Sequence, residues 1–298
     1  MELRQAANPY RNQSNIKYIM LRNFTHNLVQ ESQLPMASLW LCTLLIAAGC
    51  SNGKGDESGT DADLPVFEMV EFSRTIDSCD EAKNYCVKMS AVYPVLKSGV
   101  PRKVVAAVND SVLQYVKSNL TTLEMGTNLR DLSLQNLSDS LFQSYTSYAK
   151  ESEYISPWEL ELTGEVLYLS KKFVTVAIEN YGFTGGAHPY SNTALLNFDL
   201  KTGKPVQVLG LIRDKKALMA LAEKAFRKSR ELSPDENLNQ AGFFWDARFQ
   251  LPANLGIAQD GLYFYYNAYE IAAYAWGPTD FVISWEELGG LLDKGKIE

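Results

Sequence analysis

Apolar and polar residues alternate along several short segments of the chain, which is the pattern of strands with one buried face. The clearest segment runs from Tyr85 to Val95, where every second residue is apolar or aromatic. A similar segment at 67–76 precedes it by a short polar loop, so we expect these two strands to pair. Further strands are predicted at 160–170, 173–179, 194–200, 249–252, 255–258, 262–266 and 281–284.

Three other segments repeat apolar residues every three or four positions, which predicts helices with one buried stripe. The first begins after Pro101, the second carries Leu134 to Tyr148, and the third spans 214–231. A short closing helix is expected at 285–292. Hairpins with helices set between them predict an α+β fold of two small modules, with mainly antiparallel sheet and packed helices. We place these modules at 64–155 and 156–298.

The amino-terminal region resembles a bacterial lipoprotein signal. Residues 39–49 form an apolar run shorter than the ~20 residues of a membrane-spanning helix, and small residues lead directly into Cys50. We expect residues 1–49 to be a signal peptide, with Met20 as an alternative translation start. Cys50 is then the residue that carries the lipid. The alternatives are an uncleaved anchor or a buried helix. Residues 50–63 form a polar, glycine-rich tether.

Two cysteines remain in the exported part, Cys79 and Cys86. A cysteine pair in an exported chain favours a disulfide, here closing a short hairpin tip. A metal site would need more ligands than two thiols, and redox catalysis commonly uses a closer C-x-x-C spacing. We therefore expect a structural disulfide.

The charge distribution argues against one class of partner. The chain has 28 basic and 35 acidic side chains; four basic and two acidic ones precede Cys50, which leaves the exported part with a formal charge of −9. Nucleic-acid binding requires concentrated positive charge. We expect no nucleic-acid partner, and contact with the membrane only through the lipid anchor.

The second half of the chain resembles the RsiV-like C-terminal domain family, which also occurs beside PdaC-type peptidoglycan deacetylase domains. Three motifs carry the resemblance, in the expected order. They are Tyr181–His188, Asn197–Lys204, and Gly261–Tyr266 running into Tyr269–Pro278. The resemblance covers about residues 160–292, and residues 64–155 resemble the preceding module in layout.

This resemblance implies an α+β module exposed in the cell envelope. In the anti-sigma factor of the family, the extracellular part binds lysozyme; in the deacetylases, a separate metal-dependent domain performs the chemistry. The present chain differs from both. We expect no room for that catalytic domain, and a lipid anchor in place of a membrane-spanning helix argues against an anti-sigma role.

Candidate chemistry is sparse. His188 is the single histidine after Cys50, which excludes sites with two histidine ligands, and neither Ser191 nor Ser284 lies in a G-x-S-x-G elbow. Glu270 lies in an apolar, aromatic stretch, where burial would raise its pKa. We interpret it as accepting backbone hydrogen bonds; a couple with Asp280 is the alternative. We expect no catalytic residue, no metal and no cofactor.

Two loops are the best candidate binding surface, because loops held by a rigid sheet commonly carry function. Their candidate ligand-binding residues are Thr184, Gly185, Gly186, His188, Tyr269, Glu270, Tyr274 and Trp276. The sequence thus favours a non-enzymatic lipoprotein of the cell envelope, on the periplasmic or surface face of the outer membrane. Its ligand would be a lysozyme-like protein or a cell-wall glycan. A hydrolase acting on wall glycan or peptide is the alternative.

Overall fold

Five strands form the larger sheet in the computed structural model, which describes residues 64–121 and 127–298. The expected signal peptide, the lipidated Cys50 and the tether lie outside the described residues. The strands lie in sequence order across the sheet. They are β1 (Val66–Thr75), β2 (Val87–Ser98), β3 (Trp158–Leu169), β4 (Phe173–Phe183) and β5 (Tyr190–Asp199).

Neighbouring strands of this sheet run antiparallel except for β2 and β3, which are parallel. A parallel pair requires a crossover connection. Two helices supply it, α1 (Arg102–Asn119) and α2 (Leu134–Glu151). The predicted pairing of β1 with β2 is confirmed.

A second, smaller antiparallel sheet contains the last three strands. They are β6 (Asn254–Ile257), β7 (Gly261–Tyr266) and β8 (Thr279–Ser284), accompanied by helices α3 (Lys215–Ser229) and α4 (Trp285–Leu288). With one parallel pair among the strand pairings, the predicted α+β class with mainly antiparallel sheet is confirmed.

Each long helix owes its position to one apolar stripe. In α1, valines at four-residue steps from Val104 to Val116 are at most 1% exposed.

Helix α2 begins with a capping box between Ser133 and Asn136, which satisfies two otherwise unpaired backbone groups. In α3, the Asp214 carboxylate accepts hydrogen bonds from two N–H groups of the first turn. The predicted helices are thus confirmed, with α4 shorter than expected.

The buried residues form two clusters. One joins α1 and α2 to the larger sheet and ends at Leu200; the other holds the small sheet, α3 and α4, and begins near Val206. Phe173 is the main exception, because it belongs to the second cluster. The predicted module boundary at 155–156 falls inside the first cluster, and β2 pairs with β3 across it.

Asparagine side chains join the two sheets. Asn254 pairs with the backbone of β5, accepting from Leu195 N and donating to Thr193 O, both at 2.7 Å. Asn197 donates to Leu255 O at 2.8 Å. The Asn254 amide thus pairs backbone groups at the edge of β5, and the Asn197 amide pairs a carbonyl of β6.

Two predicted elements are corrected. Residues 249–252 do not form a strand; Gln250 O instead accepts a hydrogen bond from Tyr266 Oη at 2.6 Å, and Pro252 has no N–H to donate. Helix α4 ends at Leu288 because Gly289 adopts a positive φ of 51°.

Among the described residues, no helix combines the length and apolar character needed to cross a membrane.

The predicted disulfide between Cys79 and Cys86 is confirmed. It closes the tip of the β1–β2 hairpin. We expect replacement of both cysteines by serine to lower the free energy of unfolding by about 2 kcal/mol, because the unfolded chain would gain loop entropy. Denaturant unfolding measures this change, and reduction of the native chain should reproduce it. An unchanged midpoint in both experiments would contradict the expectation.

Candidate functional site

The two loops predicted as a binding surface lie in contact. The His188 ring stacks on the Tyr274 ring, with centroids 4.2 Å apart and planes tilted by 19°. Tyr274 Oη donates a hydrogen bond to Pro189 O at 2.9 Å. The structure therefore brings the first loop, 183–190, against the second loop, 267–278, although 85 residues separate these two hydrogen-bonded residues.

Glycines shape the first loop. Gly185 and Gly186 have positive φ angles of 85° and 114°, which glycine adopts at low cost because it has no Cβ. A Cβ at Gly185 would lie 3.2 Å from Ser156 Oγ, so this backbone sits close to the base of β3. Thr184 beside them is half-buried, whereas Gly186 and His188 are exposed.

Aromatic rings shape the second loop. Tyr269 is 60% exposed, adopts a positive φ of 68°, and its ring centroid lies 5.4 Å from that of Tyr274. A positive φ is costly for a non-glycine residue, and such strain concentrates at functional sites. Trp276 is 50% exposed and rests on the buried Phe243 ring, 5.0 Å between centroids.

We define an aromatic surface from rings of the two loops. The rings of His188, Tyr274 and Tyr269 contact one another in that order, and the exposed rings of Tyr190 and Trp276 complete the set. Tyr190 joins it from the start of β5, where its ring covers Gly182 on the neighbouring strand. Large exposed aromatic rings on rigid supports are typical of binding surfaces, since they offer contact area at low entropic cost.

Glu270 performs the local role that was predicted for it. Its Oε2 accepts a hydrogen bond from Asn267 N at 2.9 Å. Burial raises the pKa of the Glu270 carboxyl, while backbone N–H donors oppose this shift. No basic side chain of the described residues forms an ion pair with it.

The side chain of Glu270 lines a cleft of about 200 Å³. Apolar and polar residues both line the cleft, among them Trp245, which is 66% exposed. Its lining residues are Phe244, Trp245, Asp246, Gln250, Leu251, Tyr266, Glu270 and Ile271. Trp245 was not among the predicted binding residues, although the Phe-Phe-Trp run at 243–245 was a signal available in the sequence.

Glu270 and Asp280 do not form a carboxylate couple. Asp280 lies opposite Tyr265 in the β7–β8 register, and Tyr263 Oη donates a hydrogen bond to it at 3.1 Å. Glu270 lines its cleft with Tyr266. Since consecutive residues of a strand point to opposite faces, the two carboxylates occupy opposite faces of the small sheet.

Asp280 provides a test of pH dependence. Burial raises the pKa of its carboxyl, against the lowering effects of Tyr263 and Arg230. A group with a raised folded-state pKa contributes stability that is complete below its unfolded pKa and is lost as the pH rises through the folded pKa. We expect Asp280→Asn to remove this loss, so that the unfolding free energy falls less between pH 4 and pH 7 than in the native chain. Thermal unfolding across this range measures it; parallel curves would contradict it.

The other polar candidates have structural partners. His188 Nδ1 lies 2.9 Å from Pro189 O, Ser191 Oγ donates to Glu179 at 3.2 Å, and Ser284 caps α4.

The described residues contain one grouping with metal-ligand spacing, formed by Cys79, Glu81 and Cys86. The disulfide uses both sulfurs, and Lys88 pairs with Glu81, so this grouping does not suit a metal ion.

Two protein families match the chain. Residues 80–191 match the family described as deacetylase PdaC, and residues 211–286 match DUF3298, a family of proteins of unknown function. The two matches follow the two hydrophobic clusters closely. No curated protein sequence matches the chain significantly.

Two crystal structures share the fold. A DUF3298 family member from Bacteroides fragilis is 20% identical, with a TM-score of 0.59 over 76% of this chain and 93% of that one. A DUF3298 family protein from Pseudomonas aeruginosa is 18% identical, with a TM-score of 0.54 over 79% and 98% of the two chains. Residues 80–191 thus resemble the PdaC family and residues 211–286 resemble DUF3298, which supports the predicted resemblance to the RsiV-like, PdaC-type, cell-wall-associated domain family.

Proposed function

We propose that this protein is a non-enzymatic binding protein of the cell envelope, anchored by lipid on Cys50 and exposed on one face of the outer membrane. Its ligand is a lysozyme-like protein or a cell-wall glycan. The observation that carries the proposal is the aromatic surface, where two distant loops meet through the stack of His188 on Tyr274.

The packing and hydrogen bonds that hold these rings in place favour a role in binding. Trp276 rests on buried Phe243, and a Cβ at Gly242 would lie only 3.0 Å from the Trp276 Nε1 atom. The second loop is tied to β5, because the Asn267 side chain accepts from Thr193 N and donates to Thr193 O, at 2.7 and 3.0 Å. A surface held in this way loses little conformational entropy when a ligand binds.

The polar groups near this surface have positions that suit recognition better than group transfer. His188 is exposed, and the described structure gives its ring a stacking partner and a neighbouring carbonyl. Nucleophilic catalysis would need a base within hydrogen-bond reach of a nucleophile. The two serines considered from the sequence are bonded to other groups.

Binding of the full chain to immobilised lysozyme and, in parallel, to purified peptidoglycan tests the proposal. We expect saturable binding to one of them, with no change in the ligand's mass after prolonged incubation. Absence of binding to both by a folded sample would contradict it.

The alternative is a hydrolase acting on wall glycan or peptide, and Glu270 is the observation in its favour, because burial raises the pKa of this carboxyl. Turnover of a wall substrate that disappears in Glu270→Gln or His188→Ala, with stability retained, would replace the binding proposal with this one.

A further inference from the structure

The cleft lined by Glu270, the residue that follows Tyr269, has features of a ligand site. It opens between the 244–251 segment and the 266–271 segment, next to the aromatic surface. These segments are hydrogen-bonded to each other, since Phe244 N donates to Ile271 O at 2.7 Å. A backbone hydrogen bond therefore holds the two sides of the cleft together.

Its size limits the ligand. The volume of about 200 Å³ lies below the ~300–1,000 Å³ of clefts that hold drug-sized molecules. One ring-sized group fits such a space. The lining includes the apolar side chains of Leu251 and Ile271 and the 66% exposed Trp245, whose indole is large enough for a ring to stack on.

The charge of the cleft points to a cationic group. Asp246 and Glu270 line it, and no lysine, arginine or histidine does. Each carboxylate accepts a backbone hydrogen bond, from Arg248 N and Asn267 N respectively, but neither forms an ion pair with a described basic side chain. An ammonium group placed there would gain two charged partners and the face of an indole.

The rim favours a sugar over a lysine side chain. Gln250 also lines the cleft; its Nε2 donates a hydrogen bond to Asp246 Oδ2 at 3.4 Å, which leaves its amide oxygen to accept one from a hydroxyl group. A pyranose ring carries hydroxyl groups around its whole perimeter and can use all of them. The alkyl stem of a lysine would leave the rim unused.

We propose that this cleft binds an amino sugar whose amine is free, such as the glucosamine unit of a deacetylated glycan. This inference rests on the proposed binding function and names one ligand class for it. Glu270 and Asp246 bind the ammonium group, Trp245 stacks on the ring, and Gln250 binds a hydroxyl.

Calorimetric titration of the full chain with the tetramer of β-1,4-linked glucosamine, and separately with the N-acetylglucosamine tetramer, tests the inference. We expect the free-amine tetramer to bind at least about tenfold more tightly, because acetylation removes the charge. Added salt should weaken binding of the free-amine tetramer alone. Equal affinities would overturn the inference, as would tetralysine binding as tightly as the free-amine tetramer.

Two variants assign the effect to the cleft. Glu270→Gln and Trp245→Ala should each weaken binding of the free-amine tetramer by about tenfold. Glu286→Gln is the control, because it removes one exposed negative charge from α4, away from the cleft. If all three variants bind alike, the cleft is not the site.

Binding of lysozyme or intact peptidoglycan without any binding of the tetramer would refute this inference and leave the proposed function standing, whereas absence of binding to all of these ligands would refute both.

Discussion

Trp276→Ala is expected to weaken binding of the envelope ligand by about 30-fold, the effect of losing one central aromatic anchor. Trp276 is half-exposed, and its supports hold the ring in place before the ligand arrives. The exposed half is free to contact a partner. Surface plasmon resonance with lysozyme and pelleting with peptidoglycan measure the change.

Met219→Ala is the matched control for this variant. Met219 is 37% exposed on α3 and lies outside both loops. Its replacement should leave the affinity within about twofold of the native value, since surface changes away from an interface have little effect. Equal affinity of both variants and the native chain would exclude Trp276 from the interface.

Phe226→Ala is expected to lower the free energy of unfolding by about 4 kcal/mol, because it opens a cavity in the second hydrophobic cluster. Phe226 is fully buried on α3. Its ring contacts four others, with centroids 5.1 to 6.1 Å away. These are Phe243, Phe244, Phe249 and Tyr266.

The same rings connect stability to the site. Phe243 supports Trp276, and Phe244 lines the cleft. Denaturant unfolding should therefore show the loss in stability, and ligand affinity should fall as well. Met219→Ala, on the exposed side of the same helix, should change stability by less than about 1 kcal/mol. A loss below 1 kcal/mol for Phe226→Ala would contradict the assignment of this ring to the core.

Local patterns predicted most elements of the fold. The valine stripe of α1 and the alternation in β2 are properties of neighbouring residues, and the structure confirms both. The parallel pairing of β2 with β3 was not predicted, because it joins strands separated by two helices. Residues 249–252 resembled a strand in composition, yet a tyrosine hydroxyl hydrogen-bonds that backbone.

The candidate site was predicted only in part, because local sequence patterns do not show which distant segments come into contact. Composition identified the two loops, including Gly185 and Gly186, which have positive φ angles in the structure. The contact between His188 and Tyr274 depends on how the small sheet is joined to β5. The asparagine side chains that make this connection have no periodic pattern in the sequence. Trp245 was missed because its segment has no regular secondary structure.

The central claim is that the ligand is bound at the aromatic surface, and amide hydrogen exchange of the full chain tests it most directly. Exchange would be compared with and without saturating lysozyme, and with and without soluble peptidoglycan fragments. The account predicts slower exchange at 184–190 and 267–277 with the ligand that binds, and unchanged exchange in α1 and α2. Protection confined to other segments, with both loops unchanged in the bound state, would contradict it.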